Sequence, residues 1–167
     1  MEQMKLRIAI DSDDAATGLK KVLFDYLKDQ GIEITDLNYA ETGSALYPDI
    51  GYHLAKRVQE KEFDRGILLC GTGLGMSIVA NKVEGVYAGV CHDVYSAERL
   101  RKSNNAQIIT MGARVIGPEL AKKIIDAWIQ SEFEGKGSLP KVERIHELES
   151  KSFHDSEGSA GEGGVSV

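Results

Sequence analysis

The 167-residue chain is 42% hydrophobic and 28% charged, with a formal net charge of −6. That balance excludes a disordered or fibrous chain and argues against a nucleic-acid binder. No apolar run approaches the roughly 20 residues that span a bilayer. The opening stretch MEQMKLRIAIDSDD has too short an apolar segment for a signal peptide. Cys70 and Cys91 form neither a zinc motif nor a disulfide framework, so a reduced, cytoplasmic setting is expected.

In chain order, strand-like runs alternate with helical periods. LRIAI (6–10) reads as a first strand. Leu19, Val22, Leu23, Tyr26 and Leu27 then recur at helical spacing until Gly31. IEITDL (32–37) is the second strand, and 38–47 has the composition of a loop. Pro48 opens a helix carrying Ile50, Leu54 and Val58 on one face. GILLC (66–70) is the third strand, with a short helix expected near 76–81. VYAGVC (86–91) and AQIITM (106–111) are the fourth and fifth strands, separated by the helix VYSAERLRKS. Pro118 opens the helix PELAKKIIDAWIQSEF, with Leu120, Ile124 and Trp128 expected to point inward.

Five strands alternating with helices predict an α/β fold, a parallel sheet covered on both faces. Ligands in such sheets sit at the C-terminal strand edges, where strand order reverses. Segments 11–14, 70–75, 91–93 and 111–114 each follow a strand and can meet on that rim. A domain over 1–152 is expected, with a flexible Gly- and Ser-rich tail over 153–167.

CGTGLGMS (70–77) carries the chemistry. A dinucleotide fingerprint fails because Met76 stands where a third glycine belongs, and no Gly-Lys-Ser/Thr makes a P-loop. Besides a nucleotide site without either fingerprint, two readings remain: a tight strand-to-helix turn without a ligand, or a nest of backbone N–H groups that holds a phosphate or a developing oxyanion. Such a turn also favours negative charge on the neighbouring Cys70 sulfur. Thr72 adds a hydroxyl able to give and take a proton. A base, a proton shuttle and an oxyanion cradle suit proton abstraction beside a carbonyl. Cys91, inside an apolar run, reads as core.

DRGILLCGTGLGMSIVANKVEGVYAGVCHDVYSAERL, followed by NNAQIITMGARVIGPELAKKIIDAW, resembles the type B ribose-5-phosphate isomerases and the galactose-6-phosphate isomerase subunits. The resemblance implies a three-layer α/β/α sandwich of Rossmann or flavodoxin-like type, with a five-stranded parallel sheet and no cofactor or metal. It implies a homodimer or homotetramer with shared active sites and a small-molecule sugar phosphate as substrate. Cys70 corresponds to the base that moves a proton between C1 and C2 through a cis-enediolate, with Thr72 relaying the hydroxyl proton. Gly71, Gly73, Leu74 and Gly75 belong to the loop whose amides face the enediolate. Asp13 matches a substrate-binding aspartate. Asn104 and Arg114 match sugar and phosphate contacts, typically from the neighbouring subunit.

The chain departs from the pattern at several positions. Asp14 stands where the family usually has histidine, and Ser103 where a second, ring-opening histidine falls. Gly137 and Ser138 replace a Gly-Arg-His element, and Lys141 replaces a later arginine. His92 and Asp14 are candidates to open a sugar ring, His92 reading equally as a surface imidazole. Alternatively the substrate needs no opening: a tetrose 4-phosphate cannot close a furanose, because the required oxygen carries the phosphate. SNNAQIITMGARVIG is similar to the subgroup acting on D-erythrulose 4-phosphate. The rival class is a non-catalytic sugar-phosphate binder or partner subunit of a hetero-oligomer. Tyr47 reads as rim or loop packing, His53 as surface or packing, and His146 as part of a solvated helix face.

Overall fold

A computed structural model describes residues 5–155. Five strands, β1 (Arg7–Ser12), β2 (Glu33–Asp36), β3 (Arg65–Cys70), β4 (Ala88–Val90) and β5 (Ile108–Gly112), form one sheet in the order β2-β1-β3-β5-β4. Every pairing is parallel. Seven helices surround it among the described residues: α1 (Thr17–Asp29), α2 (Tyr39–Thr42), α3 (Tyr47–Gln59), α4 (Leu74–Ala80), α5 (Val94–Lys102), α6 (Pro118–Ile129) and α7 (Leu139–His154). The expected three-layer α/β/α sandwich is therefore present. The fifth strand is inserted between the third and fourth, and strand order reverses at β1 and β3.

Strand alternation divides the core in two. Ile8, Ile10, Ile67, Leu69, Ile109 and Met111 face α1, α5 and α6, where Leu23, Ile124, Ile125 and Trp128 are buried. Ala9, Leu68, Cys70 and Ile108 face α3 and α4, against Ile50, Leu54 and Met76. The Cys70 side chain therefore lies on the α3/α4 side, at the C-terminal end of a strand buried along its whole length.

Two buried polar clusters tie the layers together. The Arg65 guanidinium donates to the carbonyls of Trp128, Ile129 and Ser131, which end α6, and to Glu132 at 2.7 Å. It thus satisfies carbonyls that a helix end leaves without partners. Asp11, fully buried, accepts from the amides of Ser12 and Tyr39 and from Lys20 Nζ.

Several expectations need correction. Leu120 is 42% exposed; Ala121, Ile124, Ile125 and Trp128 are the inward residues of α6. The expected loop over 38–47 contains the short helix α2, entered through Asn38 in the left-handed region at φ 45°. The fourth helix begins at Leu74, two residues before the expected start, because Gly73 already turns the chain at φ 79°. Helix α7 runs on through Phe153 and His154. The rest of the expected tail, 156–167, lies outside the described residues.

Trp128 is fully buried, and the Arg65 guanidinium lies 5.4 Å from its ring centroid. Trp128→Ala is expected to cost about 3–5 kcal/mol, the range for deleting a buried aromatic. Guanidinium unfolding at fixed protein concentration measures it.

Candidate active site

At the C-terminal edge, in the crevice between β1 and β3, lies a cavity of about 240 Å³ lined by Asp13, Tyr47, Cys70, Gly71, Thr72, Gly75 and Arg114. Its floor is the turn after β3. Gly73 N–H donates to Cys70 Sγ at 3.0 Å. Leu74 N–H donates to Thr72 Oγ1 at 3.3 Å. The amides of Gly73 and Leu74 are thus engaged within the turn, and Gly71, Thr72 and Gly75 face the cavity. The sequence treated the loop's amides as one cradle. The structure splits them between holding the sulfur and lining the space beside it.

The turn takes this shape because two backbones come into contact. Gly73 lies at φ 79°, and a Cβ there would sit 2.9 Å from the Met111 carbonyl carbon. A Cβ on Gly112 would sit 2.6 Å from Thr72 Cα. The side chain of Thr110 locks the approach by donating to the Gly73 carbonyl at 2.8 Å. Arg114 is brought over the same turn, its amide bonded to the Gly71 carbonyl at 3.0 Å. Its guanidinium lies where a Gly71 Cβ would approach within 3.1 Å.

Asp13 enters from β1. Its amide reaches the Leu69 carbonyl, and its carboxylate caps the short 3-10 turn Asp14–Ala16 by accepting from Ala15 N–H at 3.1 Å. Burial, the largest influence, pushes this carboxyl above its usual range, against the pull of the Ala15 amide and of Arg114. Tyr47 opens α3 and lays its ring where a Gly75 side chain would stand. It therefore belongs to the rim, a position that the sequence left open. A tyrosine one residue before a helix-opening proline was the available signal.

Other candidates lie elsewhere. Asp14 is exposed on the 3-10 turn and does not line the cavity. Leu74 is 57% exposed at the start of α4. His92 does not line the cavity either; its Nε2 accepts from Gly112 N–H at 2.9 Å. Cys91 is core, as expected, and burial pushes its thiol up to about 12. His53 is a packing residue, stacked on Tyr39 at 4.0 Å between centroids.

Asn104 and Lys141 lie at the opposite edge of the sheet. Asn104 follows α5, just before β5 begins. Lys141 is in the first turns of α7, whose Glu149 accepts from Gly85 N–H ahead of β4. Neighbouring Val142 and Glu143 share a cavity with Tyr87, Asn105 and Gln107. The six residues of β3 separate the two edges by about 17 Å at ~3.3 Å per residue. One chain therefore holds Cys70 and Arg114 together and keeps Asn104 and Lys141 apart from them.

Comparison with known proteins agrees with this architecture. The sequence profile of the Ribose/Galactose Isomerase family matches residues 8–145. A D-erythrulose-4-phosphate isomerase of Pectobacterium atrosepticum is 57% identical over 150 residues, covering 89% of this chain and 99% of that protein. Ribose-5-P isomerase B of Listeria innocua is 48% identical over 147 residues, with coverage of 88% and 99%. The solved ribose-5-phosphate isomerase B of Clostridium thermocellum superposes with a TM-score of 0.83 at 43% identity, covering 88% and 99% of the two chains.

The geometry separates the two thiols. Iodoacetamide on the native protein at pH 8 is expected to label Cys70, which lines the cavity, and to reach Cys91 only after unfolding; peptide mass spectrometry distinguishes them. Gly73→Ala should cost roughly 1–3 kcal/mol for its left-handed backbone alone and change the Cys70 labelling rate, since the amide on the sulfur must move.

Proposed function

Because the chain belongs to the ribose/galactose isomerase family, it is a sugar-phosphate aldose–ketose isomerase; we propose that it acts on an open-chain tetrose 4-phosphate, with Cys70 as the base. In the aldose-to-ketose direction, the Cys70 thiolate takes the proton from C2. The electron pair moves to the C1–C2 bond and the carbonyl oxygen becomes the enediolate oxygen. Sulfur then delivers a proton to C1, either the one it took or one exchanged with solvent, while Thr72 Oγ1 carries the hydroxyl proton from O2 to O1. No net oxidation, cofactor or water is required.

The observation that carries the reading is the Gly73 N–H on Cys70 Sγ at 3.0 Å, inside a cavity that also contains Arg114. A hydrogen bond to sulfur favours its anion. The Arg114 guanidinium offers a fork of donors for a phosphate. Asp13, at the other wall, is placed to receive sugar hydroxyls.

One feature of this chain's lining favours a tetrose over a pentose. It includes no imidazole to open a ring: His92 is turned to Gly112, and Ser103 accepts from Arg99 Nε at 2.8 Å. The high identity to a D-erythrulose-4-phosphate isomerase points the same way. Ribose 5-phosphate is the second substrate to compare, given the relatives that carry that name.

The functional unit in this proposal is a homodimer, or a tetramer built from it. Leu46, Leu74, Ile78 and Tyr95 are exposed near the cavity's edge of the sheet, and Leu139, Ile145 and Leu148 are exposed along α7. A two-fold axis that sets one chain's α7 edge on the other's cavity edge covers both sets. It also brings Asn104 and Lys141 to the partner's Arg114, completing two sites at once. No described helix is long and apolar enough to cross a membrane. The free thiols of Cys70 and Cys91 fit a reducing, cytoplasmic setting.

The test is turnover of erythrulose 4-phosphate and ribose 5-phosphate by the purified chain alone, with solvent deuterium entering at C1 or C2. A higher kcat/KM on the tetrose is expected; the reverse order ends the tetrose assignment. Cys70→Ala should lower kcat at least ~10³-fold while the melting temperature holds. The shared site makes a separate prediction. Cys70→Ala and Lys141→Glu proteins, each nearly inactive, should recover about one quarter of wild-type activity when subunits are exchanged, because half of the dimers are hybrids with one intact site. No recovery after demonstrated exchange means that each chain completes its own site.

A further inference from the structure

His92 has no part in the reaction as written above, yet it holds one end of the machinery. The last paired residues of the β4–β5 ladder are Val90 and Thr110. Cys91 N–H still reaches the Thr110 carbonyl, and the chain then leaves the sheet to begin α5, with Asp93 capping Ser96 N–H. The next amide of β5 on that side, Gly112 N–H, has no strand carbonyl opposite it. His92 Nε2 takes that place at 2.9 Å. An imidazole thus extends the ladder by one hydrogen bond where the backbone has turned away.

The Gly112 peptide lies between the two working parts of the site. It pairs with Cys70 across the sheet. It rests on the Gly71 and Thr72 backbone so closely that a Cβ would lie 2.7 Å from the Gly71 carbonyl oxygen. Its own carbonyl accepts from Val115 and Ile116, closing the turn that carries Arg114. A shift of this peptide moves the base turn and the phosphate arm together, and displacements of about 1 Å in a reacting geometry can cost roughly 10²-fold.

We infer that His92 is a positioning residue: its unprotonated Nε2 holds the Gly112 peptide, and through it the Gly71–Thr72 turn and Arg114, in the geometry that the isomerisation needs. The inference rests on the proposed function for its consequence in turnover, though not for the contact itself. The bond sets the tautomer, with the ring proton on Nδ1. An imidazolium has no lone pair at Nε2, so protonation removes the acceptor and sets a donor against Gly112 N–H. The ionisable groups beside it in the chain are Cys91 and Asp93, and the Gly112 peptide that it holds pairs with Cys70 and lies two residues before Arg114. Asp93 is held ionised by the Ser96 amide and interacts with the imidazole's charge. The contact therefore requires the neutral ring.

The experiment is the pH profile of kcat/KM for wild type, His92→Gln and His92→Ala, with the protection factor of the Gly112 amide followed by NMR hydrogen exchange. Wild type should fall more steeply on the acid side than His92→Gln, since only wild type loses its acceptor at position 92 when that side chain is protonated. His92→Gln offers a carbonyl oxygen that accepts at any pH. It should stay within about threefold of wild type at neutral pH. His92→Ala should lose about 10- to 100-fold across the range. Gly112 protection should fall on acidification in wild type and hold in His92→Gln. If the alanine variant does not fold, the glutamine profile decides alone. An alanine variant that matches wild type, a glutamine variant whose acid limb is as steep as that of wild type, or Gly112 protection indifferent to pH overturns the inference. The exchange readout needs no substrate. Absence of sugar-phosphate turnover would therefore strike the proposed function and leave the His92 contact to be judged separately.

Discussion

The site depends on the approach of two backbones at the C-terminal edge of the sheet. Gly73 touches Met111, Gly112 touches Thr72, and neither position has room for a Cβ. Thr110 closes the gap with a hydrogen bond to the Gly73 carbonyl. Once the turn is pressed against β5, the Gly73 amide has one direction left, and Cys70 Sγ lies along it at 3.0 Å. The polarity of the sulfur's surroundings therefore comes from backbone packing, a geometry that costs little to maintain because it forms with the fold.

The core supports that approach from both faces. Met111 faces the α1/α6 side and Cys70 the α3/α4 side, so the strand ends are clamped between two apolar layers. At the other end of β3, Arg65 binds the carbonyls that finish α6. The strand bearing Cys70 is thus anchored at its start by a buried cation and at its end by a glycine turn. In the proposed reaction, a base on so constrained a strand needs little reorganisation when substrate arrives.

Surface chemistry shows the complementary property. Helix α7 buries none of its residues within the chain and is attached partly by polar contacts, among them Glu149 to Gly85 and to Tyr87. An amphipathic helix with its apolar residues in solvent is unfinished packing. Its position at the edge away from Cys70 fits the proposed two-fold arrangement, in which the same surface both covers apolar area and delivers Lys141.

Much of the architecture is legible in the sequence. The alternation of runs specified a parallel, doubly covered sheet, and CGTGLGMS specified a strand-to-helix turn with a thiol at its mouth, because glycine spacing and apolar runs are local properties. Placing Leu120 inside failed because a helix's buried stripe depends on which neighbours it meets, and here Ala121 and Ile125 share the contact. His92 could not be oriented from sequence, since its partner, Gly112, lies twenty residues away and is reached only because β5 is inserted beside β4. Tyr47 was likewise ambiguous until Gly75 was seen to leave room for its ring. The sequence by itself determined the elements and the turn with a thiol at its mouth, all encoded within a few residues. Only the tertiary structure decided which groups meet. Strand order and the missing Cβ atoms set distances between segments remote in the chain, and these placed Asp13 and Arg114 beside the sulfur, turned His92 to the backbone and left Asn104 and Lys141 at the far edge.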